Sequence, residues 1–330
     1  MSAPTDLFDD TALSDFRLRG PRFFYFRHER GWVSPASAKA ADWGTAWHDA
    51  TATFVKVFGW PAETIAAYAD ELTWAAWGAF VETWDALYPA EPVAAHIRDP
   101  ELELAAWDKS PLLAKPMLRE YIIQRAERFS QLTSVGVEVP FVVPLFPTDS
   151  TIGYTGLIDR QVLVDNTEPA VIDVKTTGNY NYSTQAGIRP SWFKQFAVGS
   201  QLRGYIYATR LLTNDDTIRR AYIDASLRHR NKSVARPDVH VFHPLLFNDA
   251  QITEWLADAQ QAVADVLENR RRQAAGIYAW PRACGGHCMT YGDCPYFDLC
   301  SSGQDPATLD MPTNLVERRW APIKLPPAGK

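Results

Sequence analysis

Cysteine is missing from the first 283 residues of this 330-residue chain, and all four cysteines fall between Cys284 and Cys300. The disulfide framework of a small secreted protein spreads its cysteines, so clustering of this kind points to a metal or iron–sulfur site in a reducing compartment. Long apolar runs are also missing. Nothing reaches the about 18 uncharged apolar residues that a membrane-spanning helix needs. The opening MSAPTDLFDDTALSDF is acidic and has no apolar stretch, unlike a secretory leader, so a cytoplasmic location is expected. A basic excess is lacking too: 33 Lys and Arg against 39 Asp and Glu give a net charge of −6. That balance weighs against a protein that coats nucleic acid, which needs a broad basic face. It leaves room for local contacts and for carboxylates that hold cations. The small basic groups at Arg228, His229, Arg230 and Lys232, and at Arg270, Arg271 and Arg272, are expected on solvated surface.

What is present suits a globular protein, with 46% hydrophobic and 22% charged residues and no internal repeat. The start, up to about residue 20, and the Pro-rich tail after Leu309 are expected to be loosely held. Residues 41–58 suit a helix, with Trp47, Thr51 and Phe54 at helical spacing. Pro61 to Tyr88 reads as one or two amphipathic helices, and Pro116 to Phe129 as another. The eight tryptophans from Trp32 to Trp107 are expected in the core. Short β-branched stretches bounded by Pro, Asn, Asp or Gly then predict strands at 135–146, 151–165 and 170–177. A helix from Trp192 to Leu212, strands at 218–229 and 239–247, and a helix from Asn248 to Gln273 complete an α/β or α+β pattern.

The chemistry centres on Asp159, at the end of one expected strand, and on Asp173-Val174-Lys175 in the next. Alternation puts Asp173 and Lys175 on one face, and Asp159 approaches that face if the two strands pair. Two carboxylates with a backbone carbonyl, here that of Val174, make a hard oxygen site for Mg²⁺ or Mn²⁺. A cation there polarises a phosphoryl oxygen, while a neighbouring lysine orients or deprotonates water and offsets transition-state charge. An Asp–Lys pair at a sheet edge would give the same tripeptide, so Asp-x-Lys by itself does not decide.

Further motifs accompany it in order: Gly44-x-x-x-His48 in a helix, Glu138 in a strand, Gly156-Leu-Ile-Asp159, Asp173-Val-Lys175-Thr176, and Gln201-x-x-x-Tyr205 in a helix. In this ordered set the chain resembles the RecB-type exonucleases of the PD-(D/E)xK nuclease superfamily, which include phage exonucleases and the exonucleases of CRISPR adaptation. The resemblance runs from about residue 13 to 300 and takes in the opening LSDFRLRGPRFFYFRHERG. It implies that His48, Asp159, Asp173 and the Val174 carbonyl bind metal, that Lys175 handles the attacking water, and that Gln201 and Tyr205 position the site and contact DNA. Read alone, His48 could equally be a hydrogen-bonded core histidine, Glu138 an outward strand residue, and Gln201 with Tyr205 a buried hydrogen-bonded pair.

Cys284, Cys288, Cys294 and Cys300 offer four thiolates, suited to Zn²⁺ or a [4Fe–4S] cluster, with His287 as a further candidate ligand. Many relatives carry a [4Fe–4S] cluster whose first cysteine lies in the opening segment; here Gly20 stands in that place, and Cys284 is the candidate replacement. The expectation is therefore one PD-(D/E)xK domain over residues 1–330: a restriction-endonuclease-like core (about 135–275) with a mixed sheet flanked by helices, a helical elaboration (about 60–130) and a Cys-rich cap (281–302). Its expected activity is Mg²⁺- or Mn²⁺-dependent DNA hydrolysis from ends or single strands in recombination, replication or end processing, with Arg228, Arg230 and Lys232 gripping the strand. A structure- or site-specific endonuclease, or a non-catalytic DNA-binding factor held by a metal on the four cysteines, are the alternatives.

Overall fold

In the computed structural model, which describes residues 6–34, 39–106, 109–183, 185–228, 239–283 and 294–319, the N-terminal segment is tightly held. Strand β1 (Asp6–Phe8) leads into helix α1 (Asp10–Ser14), whose N-cap Asp9 accepts from the Ala12 amide at 2.7 Å. Two π-helical turns, Asp15–Arg19 and Tyr25–Glu29, flank α2 (Pro21–Phe24), and β2 (Trp32–Val33) follows. Phe8, Leu13, Phe16, Phe24 and Phe26 are buried. Phe24 and Tyr25 stack on Trp280, and Phe23 and Phe26 meet Tyr296. The expected loose start is thus corrected: its aromatic side chains find distant partners that local composition does not reveal, and burying each is worth about 2 kcal/mol.

The helical layer comprises α3 (Lys39–Ala52), a 3-10 turn at Thr53–Val57, α4 (Ala62–Ala67), α5 (Ala69–Leu87), α6 (Val93–Arg98), α7 (Pro100–Ala106) and α8 (Ala114–Ser130). Trp47, Thr51 and Phe54 are fully buried, as their spacing predicts. Trp32, Trp43 and Trp84 are buried as well and Trp77 packs against the core, but Trp60 and Trp74 face solvent, and Lys115 lies over the Trp74 ring. Trp107 is outside the described residues.

The expected strands appear as β3 (Leu132–Phe146), β4 (Asp149–Val164) and β5 (Glu168–Thr177). A small hairpin, β6 (Tyr182–Ser183) with β7 (Gly187–Ile188), precedes α9 (Pro190–Val198) and α10 (Gln201–Thr213). The sequence predicts one helix over these last two. The break falls at Gly199, whose backbone turns extended (ψ 160°); a Cβ there would come within 2.8 Å of the Gln195 carbonyl oxygen. Strands β8 (Arg220–Leu227) and β9 (Val239–Leu246) lead to α11 (Asp249–Ala274), which starts in a capping box between Asn248 and Gln251. Helix α12 (Phe297–Ser301) and strand β10 (Val316–Glu317) follow; β10 pairs with β2, so part of the expected loose tail is also tied down.

Strands β1, β3, β4, β5, β8 and β9 form one mixed sheet. Helices α3, α5 and α8 cover one face, burying Val162, Ile172 and Val174; the N-terminal segment, α10 and α11 cover the other, burying Val171, Ala221 and Ile223. The register creates an opening. β3 lines one edge of β4 from Val164 to Gly153. On the opposite edge, antiparallel β5 pairs from Val164 only as far as Arg160↔Ile172, then continues beside β8 alone to Thr177↔Leu227. Parallel β1 takes up that edge again at Ile152–Tyr154. Among the described residues, 155–159 of β4 therefore have no strand on this edge, and the C-terminal ends of β1 and β5 run toward the gap from opposite directions.

Candidate active site

Asp159 lies at the rim of this gap, mid-strand rather than at the strand end expected from sequence, because β4 runs on to Val164 in company with β3. Its Oδ2 accepts from the Val174 amide at 2.7 Å, supplying the acceptor that the interrupted ladder no longer provides. On β5, Asp173 and Lys175 share one face, and Lys175 Nζ donates to Asp173 Oδ1 at 2.8 Å. Asp173 is fully buried and its Oδ2 has no hydrogen-bond partner among the described residues. Burial pushes its carboxyl up to about 6 against the pull of Lys175. Burial also raises Asp159, again opposed by Lys175. Desolvation works to discharge Lys175, but Asp173 and Asp159 outweigh it and hold the lysine above its ordinary value. At neutral pH it is an ammonium, able to orient water and offset negative charge but not to accept a proton.

His48 reaches the gap from α3, with Nδ1 3.4 Å from Asp159 Oδ2 and a hydrogen bond to the Val174 backbone. Burial, then the Lys175 charge, pushes the imidazole down to about 4, so it is neutral and offers a lone pair. Glu138 stands opposite on β3. One ligand atom each from His48, Glu138 and Asp159 lies within 4.8 Å of the others. Glu138 adopts φ +47°, a left-handed conformation that costs a non-glycine residue about 1–2 kcal/mol and persists only where its surroundings enforce it. Burial, with Asp159 and Asp49 adding to it, raises the Glu138 carboxyl to about 7. A cluster of carboxylates with one neutral imidazole and an unsatisfied buried Oδ2 has the donor chemistry of a divalent-cation site.

On α10, Gln201 Nε2 donates to the Tyr205 hydroxyl at 2.8 Å. Burial raises the tyrosine, with Asp159 and Asp173 acting in the same direction, so the pair faces the carboxylates. Gly204 lets α10 approach: a Cβ there would sit 2.3 Å from the Tyr154 hydroxyl and 2.8 Å from the Trp255 ring. The residues singled out from sequence as His48, Asp159, Asp173, Val174, Lys175, Gln201 and Tyr205 thus surround one opening.

Two charged neighbours escaped the sequence reading. Arg160, 2% exposed, donates to the Tyr121 hydroxyl at 3.3 Å and lies 3.5 Å from Asp224, which Arg125 also binds at 2.9 Å. This fixed cation borders the carboxylates, and its only signal was an arginine inside an otherwise apolar strand. Asp10, at the start of α1, is the other. Two basic groups also differ from expectation. Arg228 is buried rather than solvated: its amide donates to the Thr177 carbonyl at 2.7 Å and its guanidinium covers the Trp43 ring. Arg270 ties the N-terminal segment, bonding Asp6 and Glu29, and Arg272 donates to the Tyr278 carbonyl; Arg271 is exposed and pairs with Glu268. His229, Arg230 and Lys232, together with Cys284, His287 and Cys288, lie outside the described residues. Cys294 and Cys300 are half-buried and pack against the core formed by the N-terminal segment and α11. At Gly20 (φ +92°) a Cβ would come within 2.5 Å of the Ala283 Cβ, so the opening segment adjoins the cysteine-rich stretch closely.

Among the described residues, no helix is long and apolar enough to cross a membrane. No curated protein sequence matches the chain. Among solved structures it is similar to a candidate exonuclease from Eubacterium rectale, with 13% identity, a TM-score of 0.46, and coverage of 93% of this chain and 91% of that one. The profile of the PD-(D/E)XK nuclease superfamily matches residues 11–301, which includes every residue around the opening except Asp10. With that match spanning most of its length, the chain belongs to the PD-(D/E)XK nuclease superfamily.

Proposed function

We propose that the protein is a divalent-cation-dependent deoxyribonuclease that degrades DNA from ends or single strands. The observation that carries the reading is the juxtaposition, at one gap in the sheet, of Asp159, the Asp173–Lys175 pair and the His48–Glu138 group. His48, Glu138, Asp159, Asp173 and the Val174 carbonyl would hold Mg²⁺ or Mn²⁺. Such a cation supplies a Lewis acid for a phosphoryl oxygen and makes water more acidic. Lys175, kept charged by its carboxylates, orients the attacking water in line with the scissile P–O bond and offsets charge on the phosphoryl oxygens. The Gln201–Tyr205 pair holds the far wall of the site and presents polar groups to the nucleic acid.

Action from ends is favoured by charge. A protein of net charge −6 lacks the broad basic surface that grips long internal duplex, whereas a confined gap suits a terminus. Burial of Arg228 leaves Arg230 and Lys232 as the cations proposed to hold the strand. A structure-specific endonuclease would use the same residues. Cys284, Cys288, Cys294 and Cys300 are proposed to hold one structural metal centre, [4Fe–4S] or Zn²⁺, at the cap. The test is digestion of 5′- and 3′-labelled linear duplex, single strands and covalently closed circles in Mg²⁺ or Mn²⁺. Progressive release of short products from linear DNA with intact circles supports the reading. Rapid linearisation of circles moves it to an endonuclease, and no cleavage of any substrate overturns it.

A further inference from the structure

We propose that Tyr180 and Arg189, carried on the chain that follows β5, form a clamp for single-stranded DNA at the mouth of the gap. The placement starts from Lys175, which keeps 27% of its side chain exposed, so the gap opens to solvent beside it. Beyond it β5 runs only to Thr177, and the chain then bends through a 3-10 turn, Asn179–Asn181. The Asn181 side chain donates back to Thr177 Oγ1 at 2.6 Å, and the Asn181 amide donates to the Gly178 carbonyl at 3.0 Å. Tyr180 is therefore folded over the end of the strand that carries Asp173 and Lys175. Successive Cα atoms lie about 3.8 Å apart and strand residues rise about 3.3 Å, so its backbone is within about 18 Å of Lys175. That distance spans roughly five nucleotides of stacked strand.

Single exposed aromatics are ordinary on protein surfaces, and Tyr180 differs in how it is held. Its side chain is 75% exposed, and none of the bonds that fix its turn involves the ring. The Arg189 amide donates to the Asn181 carbonyl at 2.8 Å, and Arg189 Nε donates to the Tyr182 carbonyl at 3.2 Å. Between them, Tyr182 and Ser183 pair with Ile188 and Gly187 in the β6–β7 hairpin. Ile188 is buried, and Gly187 (φ +69°) lies so close to β9 that a Cβ would come within 2.5 Å of Val239 Cγ1. The hairpin is thus fixed to the main sheet and holds the tyrosine and the arginine on neighbouring backbone. Arg189 is exposed and pairs with no acidic side chain among the described residues. Its Nε is taken by a carbonyl, and its terminal NH₂ groups remain as donors. An aromatic face stacks on any base without reading sequence, and a guanidinium suits a phosphate. Bases in a duplex already stack on one another, so the occupant is a single strand. The inference rests on the proposed function and names the form of DNA that the gap receives.

The test measures Kd by fluorescence anisotropy in Ca²⁺, with the oligonucleotide checked afterwards for integrity. Full-length wild type, Y180A, Y180F and R189Q are compared; R189Q keeps a donor for the Tyr182 carbonyl and removes the charge. The ligands are a labelled single-stranded oligonucleotide and a series in which one base at a time is replaced by an abasic site. Y180A should bind the intact strand at least about fivefold more weakly, and Y180F within about twofold of wild type, at unchanged melting temperature. One abasic position should cost wild type a similar factor and cost Y180A almost nothing, which is the coupling that stacking requires. R189Q should reduce the slope of log Kd against log salt by about 0.7, one phosphate contact on a single strand. The clamp is overturned if wild type binds no single strand, if Y180A binds as wild type does, or if no abasic position separates the two. An unchanged salt slope in R189Q overturns it as well. Coupled binding by a wild type that cleaves no DNA in Mg²⁺ or Mn²⁺ would refute the proposed function and keep the clamp. Cleavage without that coupling would do the reverse.

Discussion

Asp173 is the residue on which stability and chemistry pull in opposite directions. Its folded carboxyl titrates near 6, well above the ordinary aspartate value of about 3.9. A carboxyl raised in this way binds its proton more tightly in the folded chain, so the stability it contributes is present at low pH and is lost as pH rises through about 6. In cation-free buffer at pH 8, D173N should therefore be more stable than wild type, by on the order of 1–3 kcal/mol, with the difference shrinking below about pH 6 and vanishing near about pH 4. Thermal melts at the two pH values read this directly, and a destabilised D173N at pH 8 would show that the Lys175 pairing outweighs burial. The same raised groups govern cation binding. Glu138, near 7, and Asp173 must both be ionised to serve as ligands, so Mn²⁺ affinity measured by calorimetry should fall at least about tenfold from pH 8 to pH 6. His48 separates core from ligand roles: H48A should weaken Mn²⁺ binding with little loss of melting temperature, whereas the reverse pattern would make it a packing residue.

At the scale of elements, the site exists because two strands stop sharing an edge, and α10 keeps the opening closed on one side through a glycine. G204A should force that helix away from Tyr154 and Trp255, costing about 1–3 kcal/mol and displacing Gln201 and Tyr205. A lower melting point together with reduced kcat is expected; an unperturbed variant would mean α10 has slack. The strands and long helices were legible in the sequence because each carries its own period: VGVEVPFVV and AVIDVKTT alternate or run apolar, and Trp47, Thr51 and Phe54 recur at helical spacing. The grouping of His48, Asp159, Asp173 and Lys175 was legible through ordered motifs. Features set by tertiary partners were not. The burial of the N-terminal phenylalanines depends on Trp280 and Tyr296, far along the chain. The left-handed φ of Glu138 and the burial of Arg228 over Trp43 leave no local pattern to read. The break between α9 and α10 was readable in principle, since Gly199-Ser200 interrupts an otherwise helical stretch.

For the whole molecule, net charge and the two ends of the chain set the behaviour. With few phosphate contacts, inhibition by salt should show a shallow slope; a steep one would reveal a basic surface that the −6 charge conceals. The N-terminal segment and the C-terminal stretch are joined by aromatic contacts, by Arg270 to Asp6 and Glu29, and by β2 to β10. A metal at the cysteines would reinforce a clasp that already exists. Freshly reduced protein should carry either iron, with absorbance near ~400 nm, or zinc without colour; finding neither would end the proposed centre. The most direct measurement is cation-dependent release of labelled nucleotides from linear DNA by wild type, D173A and K175A, with matched circular dichroism. Turnover by wild type that vanishes with chelator, and falls by orders of magnitude in each variant, is the expected result. A folded variant of either residue that keeps more than about a tenth of the wild-type rate would contradict the placement of the chemistry at this gap.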